Sequence, residues 1–125
     1  MKVRTLMAGD VIATDVGESV REAARRMRSD GISALPVLRQ GELVGIITER
    51  DVVAALVDGL DPRTTLVAAC MTPAPAVASP DEQVSEAAFR MVDLGIRHLP
   101  VVEAGRLVGM LSARDLLALD LLPER

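Results

Sequence analysis

Residues 31–51 read GISALPVLRQGELVGIITERD, and residues 95–115 read GIRHLPVVEAGRLVGMLSARD. The two segments are 64 residues apart and keep the same register, with Leu-Pro-Val and Leu-Val-Gly at matching places. Extending the alignment outward to residues 7–54 and 71–118 needs no gap and gives 20 identities in 48 positions. Self-similarity of this extent at a fixed spacing indicates an internal duplication of nearly the whole chain.

Each copy predicts the same order of elements: strand, helix, two strands joined by a glycine turn, and a second helix. Apolar residues at i, i+3, i+4 and i+7 predict a helix around residues 20–27 and its counterpart around 84–91. Gly31 and Gly95 stand where a helix C-terminal glycine is expected. The short β-rich runs predicted as strands are 11–13, 34–38 and 43–47 in the first copy, and 76–78, 99–102 and 107–111 in the second.

The duplication also predicts the domain organisation. The expected divisions are a first repeat at 1–58, a linker at 59–66 and a second repeat at 67–122. Proline after Asp61 suits the first turn of a helix, which predicts a short helix over about residues 62–71. A unit of about 50 residues buries too little surface to be stable alone. We therefore expect an α+β fold in which two β-α-β-β-α repeats pack sheet to sheet with pseudo-twofold symmetry.

Composition excludes several classes of function. The 125 residues carry 14 Lys and Arg against 18 Asp and Glu, a net charge of −4, and Phe89 is the single aromatic residue. Nucleic acid is not an expected partner, because such binding needs many basic contacts or aromatic stacking platforms. No apolar run is long enough to cross a bilayer and no secretory signal is present, so we expect a cytoplasmic protein with no membrane partner. Cys70 and His98 are each alone of their type, so no metal site is expected.

Both copies resemble the cystathionine-β-synthase (CBS) domain, and the duplicated chain resembles a tandem CBS pair, or Bateman module. The resemblance is carried by residues 31–37, the glycine hairpin and residues 45–51, with their counterparts at 95–101 and 109–115. It covers about residues 1–120. The linker is similar to that of short stand-alone pairs of actinobacteria, including the mycobacterial hypoxic-response type.

The resemblance implies a regulatory module that binds an adenosine-containing ligand in the cleft between the repeats. The implied ligands are AMP, ADP, ATP, NADH or S-adenosylmethionine, with no covalent cofactor. No catalytic domain accompanies the repeats, so a regulated protein is expected to be a separate chain whose identity is unknown. We expect no enzyme, because no Ser-His-Asp or Cys-His set and no Walker-type glycine loop is present. The alternative is a structural module for dimerisation or interaction that binds no ligand.

Thr48 with Asp51, and Ser112 with Asp115, each stand where a predicted strand gives way to the second helix. The resemblance assigns these positions to the ligand, and the chemistry is consistent with that role. A helix N-terminus and a hydroxyl can bind phosphate, an ionised Asp can accept from ribose hydroxyls, and the arginine before each Asp adds positive charge. The same spacing is that of a capping box, and the two roles can coexist.

The resemblance further implies two quasi-equivalent ligand sites. Site A has basic residues of the second copy toward phosphate and consists of Met7, Ile12, Ser33, Arg97, His98, Ser112, Arg114 and Asp115. Site B consists of Ser33, Thr48, Arg50, Asp51, Met71, Ala76 and Arg97. Weaker phosphate binding is expected at site B, because Ala34 stands where the second copy has His98. A structural role for His98 is the alternative, and Gly45 and Gly109 either relieve packing between sheets or let the backbone approach a ligand closely.

The first helix of the second copy carries a wider apolar stripe than its counterpart. Phe89 and Val92 stand where the first copy has Arg25 and Arg28. Surplus exposed apolar surface is typical of an interface, so we predict a homodimer with the Phe89 and Val92 region at or near the contact. The rival interpretation is that Phe89 fills the core of the single chain.

Overall fold

The computed structural model describes residues 1–121, and the predicted end of the second repeat at residue 122 lies outside them. None of the helices in this part of the chain is both long and apolar enough to span a membrane. In chain order the elements are α1 Val3–Leu6, β1 Thr14–Asp15, α2 Val20–Asp30, β2 Ala34–Arg39, β3 Glu42–Thr48, α3 Glu49–Val57, α4 Val67–Cys70, β4 Thr72–Pro73, α5 Val84–Leu94, β5 His98–Glu103, β6 Arg106–Ser112 and α6 Ala113–Leu121.

These elements fall into two compact units. The central unit is Ile12–Pro75, and the terminal unit combines Met1–Val11 with the chain from Ala76 onward. Each unit takes its hairpin and long helices from one copy of the duplication. The short segment that leads into the other copy completes the unit, so each unit combines residues of both copies.

The central unit is built on a four-stranded sheet in the order β1-β2-β3-β4. β1 runs parallel to β2, and β2 and β3 form the predicted antiparallel hairpin. β4 pairs antiparallel with β3 opposite Gly45 and Ile46. The buried core beneath this sheet is aliphatic and consists of Ala23, Met27, Leu35, Val37, Ile47 and Val67.

The terminal unit repeats this plan around the antiparallel hairpin of β5 and β6. An antiparallel bridge joins Ala8 to Met110 where the central unit has β4, and a parallel bridge joins Ala78 to Val101 where it has β1. The shared plan is the one that the duplication predicts. Its core is again aliphatic and consists of Val3, Ala78, Val84, Ala87, Met91, Leu99, Val101 and Leu111.

The helices predicted around residues 20–27 and 84–91 are confirmed, together with the residues that end them. α2 and α5 each bury the Val, Ala and Met of the predicted apolar face. Each stops at a glycine in the left-handed region, with φ of 64° at Gly31 and 67° at Gly95. A Cβ is strained in that conformation, so glycine is the natural residue to end the helix there.

The first predicted strand of each copy is misplaced. Residues 11–13 lie outside any strand, and pairing begins at Thr14. Residues 76–78 contribute one bridge, at Ala78. In both units the carbonyl just before the first paired residue accepts from an arginine side chain. Apolar content alone therefore placed these strands too early.

The helix predicted over 62–71 is also wrong in length, because α4 has only four residues. The N–H of Arg63 donates to the Asp61 carboxylate at 2.9 Å, which closes a turn that the side chain directs. Leu66 is extended and forms a bridge with Ser19. The turn and the extended residue together prevent helical conformation from starting before Val67.

Phe89 does not fill the core of the chain, so that interpretation is wrong. Its relative exposure is 70%, and Val92 one turn further along α5 is 83% exposed. Leu94 is exposed on the same helix. The surplus apolar stripe of the second copy therefore lies on the surface of the terminal unit, while a homodimer through it remains a prediction.

Candidate functional site

A capping box closes the start of α3. The Thr48 N–H donates to Asp51 Oδ2 at 2.8 Å, and the Thr48 hydroxyl donates to the same oxygen at 3.1 Å. In return the Asp51 N–H donates to Thr48 Oγ1 at 3.3 Å. The capping role weighed from the sequence is therefore confirmed, and it stabilises a helix by about 1 kcal/mol.

The start of α6 has the same arrangement. The Ser112 N–H donates to Asp115 Oδ2 at 2.8 Å, and the Asp115 N–H donates to Ser112 Oγ at 3.3 Å. In both units the cap uses Oδ2, while Oδ1 of Asp51 and of Asp115 accepts no hydrogen bond from the residues that the structure describes. Capping thus leaves one carboxylate oxygen at each helix start available to a ligand.

The first turns of these helices are largely satisfied within the chain. The N–H of Glu49 donates to the Ser33 carbonyl at 3.0 Å, and the N–H of Ala113 donates to the Arg97 carbonyl at 2.8 Å. Together with the caps, two of the first three N–H groups of each helix have protein partners. Side-chain cations therefore matter more for an anionic ligand here than the bare helix ends do.

In the terminal unit the hairpin end gathers most of the residues expected in site A. The register of β5 and β6 places His98 opposite Ser112, and the carbonyl of Arg97 lies on the first turn of α6. Arg97 and Arg114 are exposed. Neither forms an ion pair with any described residue, so two guanidinium groups accompany the carboxylate of Asp115.

The central unit gathers the corresponding residues of site B with less positive charge. Ala34 lies opposite Thr48, and the carbonyl of Ser33 lies on the first turn of α3. Arg50 is exposed and stands beside Asp51 in the chain. One arginine therefore accompanies one carboxylate, so this unit offers less positive charge to a phosphate than the terminal unit does.

Each hairpin glycine faces a methionine of the other sequence copy. A Cβ on Gly109 would lie 2.5 Å from Met7 Sδ, and a Cβ on Gly45 would lie 2.5 Å from Met71 Sδ. The backbone carbonyl after each methionine would be 3.0 Å from that Cβ. The glycines therefore allow the residues that lead into the other copy, which we call the leading segment (Met7 and Ala8, or Met71 and Thr72), to pack closely on the hairpin. This packing brings Met7 into the unit with most of predicted site A and Met71 into the unit with most of predicted site B.

The remaining candidate residues belong to the opposite unit in each case. Ile12 and Ser33 of site A are in the central unit, and Ala76 and Arg97 of site B are in the terminal unit. Ile12 packs against the core of the central unit, and Ala76 packs against that of the terminal unit. The complete sites remain predictions.

Neither a reactive thiol nor a metal site is indicated by the described Cys70 and acidic residues. Burial raises the pKa of the Cys70 thiol, and the negative charges of Asp51 and Asp58 raise it further. A thiol with a raised pKa is a poor nucleophile and a poor redox sensor near neutral pH. In the described part of the chain, no three His, Cys, Asp or Glu side chains come together in a way that could hold a metal ion.

Sequence reasoning missed a pair of ion pairs behind the candidate residues. Arg26 binds Glu18 at 2.6 Å, and Arg90 binds Glu82 at 2.6 Å. Each arginine also donates to the backbone just before the first paired residue of its sheet. We call each ion pair with that backbone contact an Arg–Glu hub. The available signal was that both residues recur 64 positions apart.

A family model with the description CBS domain matches residues 3–58 and again residues 67–121. This chain belongs to the CBS domain family. The two matches cover both copies of the duplication, so the chain is a CBS domain pair with an α+β fold.

Curated relatives of this CBS pair include longer proteins. The uncharacterized protein MJ1225 of Methanocaldococcus jannaschii is 34% identical over 118 residues, which are 94% of this chain and 42% of that protein. An inosine-5′-monophosphate dehydrogenase of Korarchaeum cryptofilum is 39% identical over 115 residues, which are 91% of this chain and 23% of that protein. The chain thus spans less than half the length of either protein.

A solved structure extends the similarity to the whole CBS pair. The CBS domain pair of protein MJ0100 is 30% identical, with a TM-score of 0.89 over 96% of this chain and 95% of that chain. That structure is a complex with 5′-methylthioadenosine and S-adenosyl-L-methionine. The α+β fold of a CBS pair is therefore shown, and a protein with the same fold binds adenosine-containing molecules.

Proposed function

We propose that this CBS pair is a regulatory module that binds an adenosine-containing ligand and acts on a separate partner protein. The observation that carries the proposal is the divided carboxylate of Asp51 and of Asp115. In each, Oδ2 caps a helix and Oδ1 accepts nothing from the described residues. A carboxylate oxygen held in place by a cap, with an arginine beside it, suits the hydroxyls of a ribose. The adenosine compounds bound by the MJ0100 pair support the same ligand class.

The two units differ in the ligand that each suits. The terminal unit presents Arg97 and Arg114 beside Asp115, which favours an adenosine compound that carries phosphate groups. The central unit presents Arg50 alone beside Asp51 and has Ser33 in place of Arg97. A compound without phosphates, such as S-adenosylmethionine, loses less affinity from the smaller positive charge of the central unit than a nucleotide does. We therefore propose that AMP, ADP or ATP binds with the terminal-unit residues in preference to those of the central unit.

A purely structural dimerisation module is the second candidate function. It is favoured by the exposed apolar surface of Phe89 and Val92. Under this function the candidate carboxylates serve only as helix caps. The two functions differ in one measurable respect, which is a response of the protein to adenosine compounds.

The test is isothermal titration and thermal denaturation with AMP, ADP, ATP, NADH and S-adenosylmethionine. A ligand at 100 times its dissociation constant raises the free energy of unfolding by about 2.7 kcal/mol. No binding by any of the five compounds at millimolar concentration would contradict the proposal and leave the structural function. Binding by one of them identifies the ligand class.

Asp115→Asn separates the ligand role from the capping role. The amide oxygen of Asn can still accept from the Ser112 N–H, whereas its amide nitrogen cannot accept from a ribose hydroxyl. We expect the melting temperature without ligand to change little and the affinity for a bound nucleotide to fall at least tenfold, since a charged acceptor is lost. Asp51→Asn makes the same change in the central unit, so we expect it to weaken nucleotide binding less than Asp115→Asn does, because the terminal-unit residues are preferred.

A further inference from the structure

Each Arg–Glu hub ties a helix to the backbone around the start of the first strand of its unit. In the central unit, Arg26 on α2 donates through Nη1 to the Ala13 carbonyl at 2.9 Å and to Glu18 Oε1 at 2.6 Å. Glu18 Oε1 also accepts from the Asp15 N–H at 2.9 Å and from the Thr14 hydroxyl at 3.2 Å. The hub thus joins the helix to the residues on both sides of the start of β1.

The terminal unit has the same hub with one difference in geometry. Arg90 on α5 donates through Nη1 to the Val77 carbonyl at 2.7 Å, but it reaches Glu82 Oε1 through Nη2, at 2.6 Å. Glu82 Oε1 also accepts from the Ser79 N–H at 2.9 Å. One nitrogen of Arg26 makes both contacts in the central unit, whereas Arg90 needs two nitrogens.

The backbone that each hub holds has few other restraints. The N–H groups of Ile12 and Ala13, and those of Ala76 and Val77, donate to none of the residues that the structure describes. These residues lie outside the strands and are at least partly exposed. Besides the packing of Ile12 and Ala76 on the cores, the carbonyl that the arginine holds restrains this backbone, since a ladder begins only at the next residue.

We propose that Arg26 and Arg90 are positioning residues that fix the backbone at Ile12 and at Ala76, and thereby set the ligand affinity of each site. The inference rests on the proposed function and on the predicted sites A and B, to which the family resemblance assigns Ile12 and Ala76. Charge-assisted hydrogen bonds at 2.6 Å, on side chains that are mostly shielded from solvent, are short and well directed. Neither arginine needs to touch the ligand.

The number of arginine nitrogens that each hub uses leads to a specific expectation for lysine substitutions. Lysine presents one nitrogen with three donors, so it can make two contacts that share a nitrogen. It cannot reproduce two contacts made from separate nitrogens of a planar guanidinium. Lysine is therefore expected to replace Arg26 in part and to fail at Arg90.

The experiment measures the affinity of AMP and of S-adenosylmethionine by titration calorimetry for Arg26→Gln, Arg26→Lys, Arg90→Gln and Arg90→Lys. In metal sites, loss of an outer residue that orients a ligand typically weakens binding by about 10- to 100-fold, and we expect a loss near the lower end of that range here. We expect that loss in both Gln variants and in Arg90→Lys, and recovery to within about threefold of wild type in Arg26→Lys. Arg25→Gln is the control, because it removes the same charge from an exposed position of α2.

Amide signals in a nitrogen–proton NMR spectrum give a readout that needs no ligand. The signals of Ile12 and Ala13 should move in Arg26→Gln, and those of Ala76 and Val77 should move in Arg90→Gln. Unmoved signals, or wild-type affinity in both Gln variants, would overturn the positioning role. Equal rescue by lysine at both positions would overturn the geometric argument. If wild type binds neither probe, the proposed function fails, and the amide signals still decide whether the hubs hold this backbone.

Discussion

Asp115 closes the first turn of α6 with one carboxylate oxygen and keeps the other clear of the described residues. The spacing of Ser112 and Asp115 predicted both a cap and a ligand role, because the two roles need the same residue types. Only the structure shows that the cap occupies Oδ2 of the Asp115 carboxylate and leaves Oδ1 for a ligand. Glu18 is a contrasting case, since three donors converge on its Oε1.

The acid stability of the protein should depend on Glu18. Burial acts to raise the pKa of this carboxyl, but hydrogen bonds from Arg26, the Asp15 N–H and Thr14, with the charge of Arg26, hold the pKa below its ordinary value of 4.5. The unfolded chain therefore takes up the proton first as the pH falls. The stabilisation by Glu18 is complete above pH 4.5 and is lost as the pH falls through the lowered pKa.

Urea denaturation of wild type and Glu18→Gln between pH 7 and pH 3 checks this expectation. The free energy of unfolding of wild type should exceed that of the variant by a constant amount near neutral pH. The gap should narrow below pH 4.5, since Gln cannot titrate. Parallel curves over the whole acid range would contradict the assignment.

At the scale of elements, the sequence correctly predicted those features of the helices that depend on residues close together in the chain. The apolar period gave α2 and α5, and Gly31 and Gly95 gave their ends, because these signals lie within a few residues of the structure they produce. The strand starts were misplaced because Arg26 reaches a carbonyl 13 residues earlier in the chain. No property of residues 11–13 themselves reports that contact. The pairing of Ala8 with Met110 is longer in range still, and no local pattern could predict it.

The contact between each leading segment and its hairpin gives a packing prediction. Gly109→Ala would place a Cβ 2.5 Å from Met7 Sδ and 3.0 Å from the Ala8 carbonyl. The sulfur can move, but the carbonyl accepts from the Met110 N–H and is held in place. We expect a loss of about 1–3 kcal/mol in the free energy of unfolding, measured by urea denaturation.

Gly9→Ala is the control, because a Cβ at Gly9 has no neighbour within 4 Å. Adding Met7→Ala to Gly109→Ala should recover part of the loss, since residues in contact are not additive. A Gly109→Ala protein as stable as Gly9→Ala would show that the segment does not pack on β6 as described.

At the scale of the whole molecule, the two copies share a fold but present different surfaces. The exposed face of α2 carries Arg25 and Arg28, while the same face of α5 carries Phe89 and Val92. The duplication predicted the shared fold, because both copies keep the same buried residues. The alignment of the two copies also identified the helix face on which their surfaces differ. A substitution on an exposed face leaves the core intact and can change what that face binds.

We expect Phe89→Glu to convert a homodimer into a monomer, because it buries a charge in the predicted contact. Sedimentation velocity at several protein concentrations measures the change. Arg25→Glu is the matched control at the corresponding position of the first copy, and its sedimentation should follow that of wild type. A Phe89→Glu protein that sediments as wild type does would remove Phe89 from the interface, and a monomeric wild type would contradict the homodimer itself.

Each copy contributes its leading segment to the unit built from the other copy, and this exchange has a consequence for the origin of the duplicated chain. A single ancestral copy has only its own leading segment, and in this protein that segment completes the unit built from the other copy. The same pairing between separate molecules depends on protein concentration and resembles domain swapping. Joining two copies in one gene replaces that dependence with an effective concentration of roughly millimolar, set by the length of the tether. Gene fusion would in this way make folding independent of how much of the protein a cell contains.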